Sequence, residues 1–253
     1  MFRVLLRKEL FEQIRTSRLF IVAVVLFITG LISPLLAKYT PVILRSIPDL
    51  PAGLAGAIPD PTVVDSVAQY IKNISQFGVL LVILFYMGVI AQEKERGTAA
   101  MMLVKPVNRT AVVLSKWLAG ALVIVAGIAA AAVAGYGYTV YLFKPISIAG
   151  FLWLNFLICV FMLVYLSVAI AASAFARSQG TAALYAFGGL ALLLILGSLP
   201  WISKVMPGAL LDWGAAISLG IIPEARWGAL VVSILIIVFL LFSASSKFQK
   251  EEI

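Results

Sequence analysis

Six long windows of this sequence carry no charged side chain: Leu19–Ala37, Asn73–Gln92, Trp117–Phe143, Pro145–Ala176, Ser178–Ser203 and Trp227–Ser246. At about 1.5 Å of rise per helical residue, each can cross about 30 Å of hydrocarbon. With 63% apolar and 12% charged residues among 253, the chain carries more hydrocarbon than a soluble domain of this length can hide. It reads as an all-α polytopic membrane protein, a single transmembrane domain over 1–253 built of six spans and short connections.

The same counts exclude several chemistries. With no His and one Cys, the chain cannot build a His-based metal site, a Cys/His dyad or an internal disulfide. A net charge of +8 would suggest nucleic acid in a soluble protein, but here the bases flank apolar spans, where they set orientation and touch anionic lipid. No nucleic-acid partner is expected. If the N-terminus is cytoplasmic, 13 Lys and Arg lie inside and six outside (Lys38, Arg45, Lys72, Lys144, Lys204 and Arg226), which predicts an N-in, C-in topology. The 18-residue basic lead before a 19-residue apolar run reads as an uncleaved anchor.

Between the spans, residues 1–18 form an amphipathic interfacial helix on the inner leaflet. Phe2, Leu5, Leu6, Leu10, Phe11 and Ile14 lie near one face, with Arg3, Arg7, Lys8, Glu12 and Arg15 largely opposite. The prolines from Pro41 to Pro61 predict an irregular outer loop, and the helical spacing of Val63, Val67, Ile71 and Ile74 a short interfacial helix after it. Residues 200–223 are mostly apolar but interrupted by Lys204 and Asp212, which predicts short outer re-entrant half-helices before the last span. Gly127, Ala131 and Gly135 make a small-residue stripe on the third span, fit for close helix packing within or between subunits. Tyr86 and Asn155 are further path or packing candidates. The span interiors hold no charge, whereas ion-coupled carriers bury such groups, so the energy for any transport comes from elsewhere.

The segment from Glu93 to Gly120 is the most specific. It leaves the second span as a charged stretch and pauses at Gly97; Thr98 can cap a short run that Pro106 stops, and Asn108 can cap the third span. This predicts a helix of about two turns within 93–109, presenting Met101, Met102 and Leu103 or Val104 to a groove in another protein. The run Glu93-Lys94-Glu95-Arg96-Gly97-Thr98, then Met101-Met102-Leu103, then Lys105-Pro106-Val107-Asn108-Arg109, resembles the coupling-helix region of type 2 ATP-binding cassette (ABC) transporter permeases. The N-terminal Arg7-Lys8-Glu9-Leu10, the six spans and the broken segment before the last are also like that family. The sequence departs from it at Ala99 and Ala100, where members often carry Leu and Glu.

The resemblance implies a non-catalytic permease subunit of an exporter in a prokaryotic cytoplasmic membrane. It implies an ATPase-docking set of Glu93, Glu95, Arg96, Gly97, Thr98, Met101, Met102, Leu103, Pro106 and Arg109, supported by Arg7, Lys8, Glu9 and Phe11. It also implies two copies of a nucleotide-binding ATPase, a second permease copy in a homodimer or heterodimer, and the second and fifth spans at the subunit interface. The chain has no G-x-x-x-x-G-K-[ST] run to cradle phosphate, so it holds no cofactor, and ATP and Mg belong to the partner. A second reading is a non-transporting membrane scaffold or maturation subunit docked to an ATPase. An intramembrane enzyme is the weakest, since the spans carry no paired carboxylates or Ser/Lys dyad.

Overall fold

The computed structural model describes residues 2–46, 59–97, 108–222 and 224–250. Its elements are helices: α1 Phe2–Arg15, α2 Arg18–Arg45, α3 Val63–Tyr86, α4 Ala91–Glu95, α5 Arg109–Leu142, α6 Ile148–Phe175, α7 Gln179–Ser198, a 3₁₀ turn at Ser203–Val205, α8 Ala209–Ser218 and α9 Trp227–Gln249. Six are long and apolar enough to cross a membrane: α2, α3 with α4, α5, α6, α7 and α9. An even number of crossings puts both ends of the chain on one end of the bundle, called here the terminal end.

Helix α6 is the centre, packing against α3, α5, α7, α8 and α9, while α2 lies along α5 and α3. Burial follows this layout: 83% of the apolar window of α6 is buried but only 11% of that of α7, so α7 is the span the subunit covers least. The small-residue stripe is used inside the subunit. Gly127 faces Val22 and Leu26 of α2, Gly135 lies against the ring of Tyr70, and a Cβ on Gly30 of α2 would stand 2.5 Å from the Ala131 carbonyl oxygen. Absent side chains let these backbones meet, which is how helices gain dispersion energy where lipid supplies no hydrophobic drive.

Several polar side chains in the spans satisfy one another. Tyr70 donates to Asn155 Oδ1 at 2.6 Å, the Asn73 amide to Ser33 Oγ at 3.0 Å, and Trp117 Nε1 to Ser167 Oγ at 2.9 Å. Two helices differ from expectation. Residues 63–86 form one continuous helix instead of an interfacial helix followed by a span: Thr62 and Asp65 close a capping box at its start, and nothing between them and Tyr86 breaks it. Helix α2 continues through Pro34 and Pro41 to Arg45, beyond the apolar window. Pro41 falls near the helix end, where its missing N–H interrupts only the last turns of the ladder.

At the end opposite the termini, α8 is a ten-residue helix docked on the start of α6. Close approach is again through glycine: Gly150 of α6 faces the Ile217 carbonyl, and Gly214 of α8 faces Leu154. Trp153, Trp213 and Trp227 interlock edge to face, with ring centroids 5.1 to 6.5 Å apart.

Candidate functional site

The site lies at the terminal end, where α3 gives way to the inner loop. After Tyr86 the chain turns, and the buried backbone N–H groups of Ile90 and Ala91 both donate to Ser173 Oγ of α6, at 2.8 and 3.0 Å. This fixes the start of α4. Its end is set by Gly97, whose φ of 68° is the left-handed helix cap that side-chain-bearing residues resist, and whose N–H donates to the Lys94 carbonyl at 3.0 Å. A Cβ there would meet nothing within 4 Å, so the requirement is conformational rather than steric.

Three consecutive charges on α4 reach three different elements. Glu93 accepts from Lys116 of α5 at 2.8 Å. Lys94 donates to the carbonyls of Ala174 and Ala176 at the end of α6, at 2.6 and 3.3 Å, and its ammonium lies 5.6 Å from the ring centroid of Phe248. Glu95 accepts from the backbone N–H of Gln179, the first residue of α7, at 3.1 Å. Beyond the loop, Asn108 caps α5 by accepting from the Thr110 N–H at 2.9 Å, as its position in the sequence predicts. Arg109 donates to the carbonyls of Phe248 and Gln249 at the end of α9, both at 3.1 Å. Every sign matches the helix end it meets: bases on the carbonyl ends of α6 and α9, an acid on the N–H end of α7.

Lys116 is the hinge of the cluster. Its ammonium is 1% exposed and donates to both carboxylate oxygens of Glu9 of α1, at 3.1 and 3.2 Å, as well as to Glu93. Lys8 stands 3.3 Å from Glu9 and 3.7 Å from Glu93, adding a second ammonium beside the two carboxylates. One turn further along α1, Gln13 accepts from the Tyr86 hydroxyl at 3.2 Å. The face of α1 set against the bundle is therefore built on Glu9 and Gln13, while Val4, Phe11 and Ile14 stand exposed among Arg3, Arg7 and Arg15. This differs from a simple apolar-inward helix, because the bundle offers Lys116 and Tyr86 to polar partners.

Of the sequence candidates, Lys8, Glu9, Glu93, Glu95, Gly97 and Arg109 come together in this region, and Arg7, Phe11 and Arg96 lie exposed at its surface. Thr98, Met101, Met102, Leu103 and Pro106 lie outside the described residues. Tyr86 is buried against α1 and α5, whereas Gly127, Ala131, Gly135 and Asn155 take part in packing deeper in the bundle. The candidate set read from the sequence left out Lys116, Lys94 and Gln13. Lys116 carried a signal, being a base at the very edge of an apolar window with Glu93 as the other edge of the same loop. Among the described residues no three His, Cys, Asp or Glu cluster in a way that could hold a metal ion.

The comparisons with known proteins follow this architecture. The chain is 28% identical over 184 residues to an uncharacterized transmembrane protein, YxlG, of Bacillus subtilis strain 168, an alignment covering 73% of this chain and 71% of that protein. Residues 3–210, which take in α1, the loop and five of the spans, match the ABC-2 family transporter protein family. Six apolar helices and a match over most of its length make this chain a multi-pass membrane protein belonging to the ABC-2 transporter family.

Proposed function

We propose that this chain is the permease subunit of an ATP-driven exporter, with its terminal end in the cytoplasm and the loop around 93–109 docking a separate nucleotide-binding ATPase. One observation carries the reading. The described flanks of the loop are tied to α1 and α5 through Glu93 with Lys8 and Lys116, and to the ends of α6, α7 and α9 through Lys94, Glu95 and Arg109. A displacement of residues 98–107 by an ATPase is thereby delivered to nearly every helix at once. Coupling of this kind needs contiguous physical contacts with a two-state element, and the described flanks supply such contacts.

The outward face of α1, with Val4, Phe11 and Ile14 among Arg3, Arg7 and Arg15, suits the inner leaflet: apolar groups enter the acyl boundary and bases meet lipid phosphates. A second permease copy fits the sparsely covered side of the bundle. There α7 exposes Leu184 and Ile195, and α3 exposes Gln76 and Leu80. Gln76 lies well within the spanning part of α3, where an exposed amide is better met by protein or water than by lipid tails. ATP and Mg are bound by the ATPase, two copies of which serve a permease pair.

The test is the chain co-expressed with the ATPase that co-purifies with it, reconstituted in vesicles. Met102→Asp places a charge on the docking face, and Gly97→Val forces a branched side chain into the left-handed cap, which costs about 1–2 kcal/mol. Both variants should insert and assemble the membrane domain yet hydrolyse ATP without transport. Transport at the parental rate in both would sink the coupling role of the loop.

A further inference from the structure

An apolar cleft of about 610 Å³ opens between α6, α7 and α9, walled by Ala172 and Phe175 of α6, Gly189 and Leu193 of α7, and Ile236 and Phe239 of α9. Its lining has one charged residue, Lys247, near the end of α9. Along α9 the lining runs from Ile236 to Lys247, eleven residues or about 16 Å at helical rise. That is the depth of hydrocarbon in one leaflet, about half of 30 Å. A slot as deep as one leaflet, apolar apart from the Tyr185 hydroxyl and basic only at its interfacial end, has the shape and polarity of a single phospholipid.

The charge favours one kind of headgroup. Lys247 is exposed and, among the described residues, makes no ion pair. Arg177, exposed in the turn joining α6 to α7, adds a second base at the same end of the bundle. Basic pockets between spanning helices on the cytoplasmic side are suited to acidic headgroups. At its deeper part the cleft narrows where α6 and α7 touch, for a Cβ on Gly189 would stand 2.6 Å from Val168. We propose that this cleft is a binding site for an anionic phospholipid of the inner leaflet, with an acyl chain between α6, α7 and α9 and the headgroup phosphate at Lys247. The lipid would wedge α7, the span least held by the rest of the subunit, against α9. The assignment to the inner leaflet rests on the orientation proposed above; the site itself does not.

The experiment uses the full chain in phosphatidylcholine vesicles that carry a minor fraction of diazirine-acyl phosphatidylglycerol or, in parallel, diazirine-acyl phosphatidylcholine. After irradiation the cross-linked peptides are mapped. The expected result is phosphatidylglycerol labelling concentrated on the cleft-facing parts of α7 and α9, exceeding phosphatidylcholine labelling several-fold. Lys247→Gln, a change at an exposed side chain, should reduce that preference about fivefold, the attraction of one base for an acidic headgroup. Equal labelling by the two lipids, or a preference untouched in Lys247→Gln, would overturn the proposal. So would rapid disulfide pairing between two copies carrying Cys159→Ser and Leu193→Cys, which would put protein in the cleft. Because labelling needs no ATPase, the lipid site and the transport reading fail independently.

Discussion

Replacing Lys116 with Met removes the ammonium that two carboxylates share. Glu9, 2% exposed, would keep only Lys8 at 3.3 Å, a side chain itself 45% exposed, and Glu93 would face Glu9 across the space the ammonium held. Stranding a buried charge in this way costs about 3–5 kcal/mol. The bonds that Lys116 makes to Glu9 tie α1 to α5, so the expected event is undocking of α1 rather than global unfolding. At tenfold per about 1.4 kcal/mol, the open population rises by roughly two to three and a half powers of ten. Backbone hydrogen exchange over residues 2–15 in nanodiscs reads this directly, while the amides of α6 should keep their protection. Glu9→Gln is milder, at about 1–3 kcal/mol, because Lys116 retains Glu93 at 2.8 Å. The double variant Glu9→Leu with Lys116→Met removes the buried carboxylate together with its ammonium, leaves Glu93 to Lys8, and should recover most of the protection. Unchanged exchange in Lys116→Met, or a double variant as open as the single one, would refute the reasoning.

Two further outcomes follow from the packing. Gly30→Ala drives a Cβ to 2.5 Å from a backbone oxygen that cannot swing aside, so thermal unfolding in detergent should fall by the equivalent of about 1–3 kcal/mol, whereas Gly137→Ala, with nothing within 4 Å, should not lower it. Ser173→Ala leaves the N–H groups of Ile90 and Ala91 without their acceptor, and exchange at those two amides should quicken, at about 1–3 kcal/mol for each buried donor left unpaired.

The six spans were legible because an uncharged run long enough to cross hydrocarbon has few alternatives. Helix ends were not. Lys38 marks where the apolar window of α2 stops, yet the helix continues to Arg45, since charge reports the edge of the hydrocarbon and not the end of the hydrogen-bond ladder. The start of α3 was written locally, in Thr62 and Asp65 after Pro59 and Pro61, but it takes the capping geometry to prefer one long helix over two. At the site, the capping role of Asn108 and the stop at Gly97 were readable because both act on neighbouring residues. The pairing of Lys116 with Glu9 was not, because it joins positions 107 apart and depends on α1 folding back onto α5. Lys94 and Arg109 were likewise opaque, since their acceptors are backbone carbonyls at helix ends whose identity the side-chain sequence does not encode.

The Gly30–Ala131 contact also bears on how the chain is made. Helix α2 finds its principal neighbour, α5, only after about a hundred more residues have been synthesised, a wait of roughly 5 to 20 s at ribosomal speed. Until α3 follows, it must rest in lipid or beside the insertion machinery as a lone helix. Its two buried hydroxyls are suited to the delay: Thr29 donates to the Val25 carbonyl at 2.7 Å and Ser33 to the Thr29 carbonyl at 2.6 Å, bonds made entirely within the helix. The first span can therefore enter the bilayer with its polar groups already satisfied, and Ser33 needs no rearrangement to accept the Asn73 amide when the second span arrives.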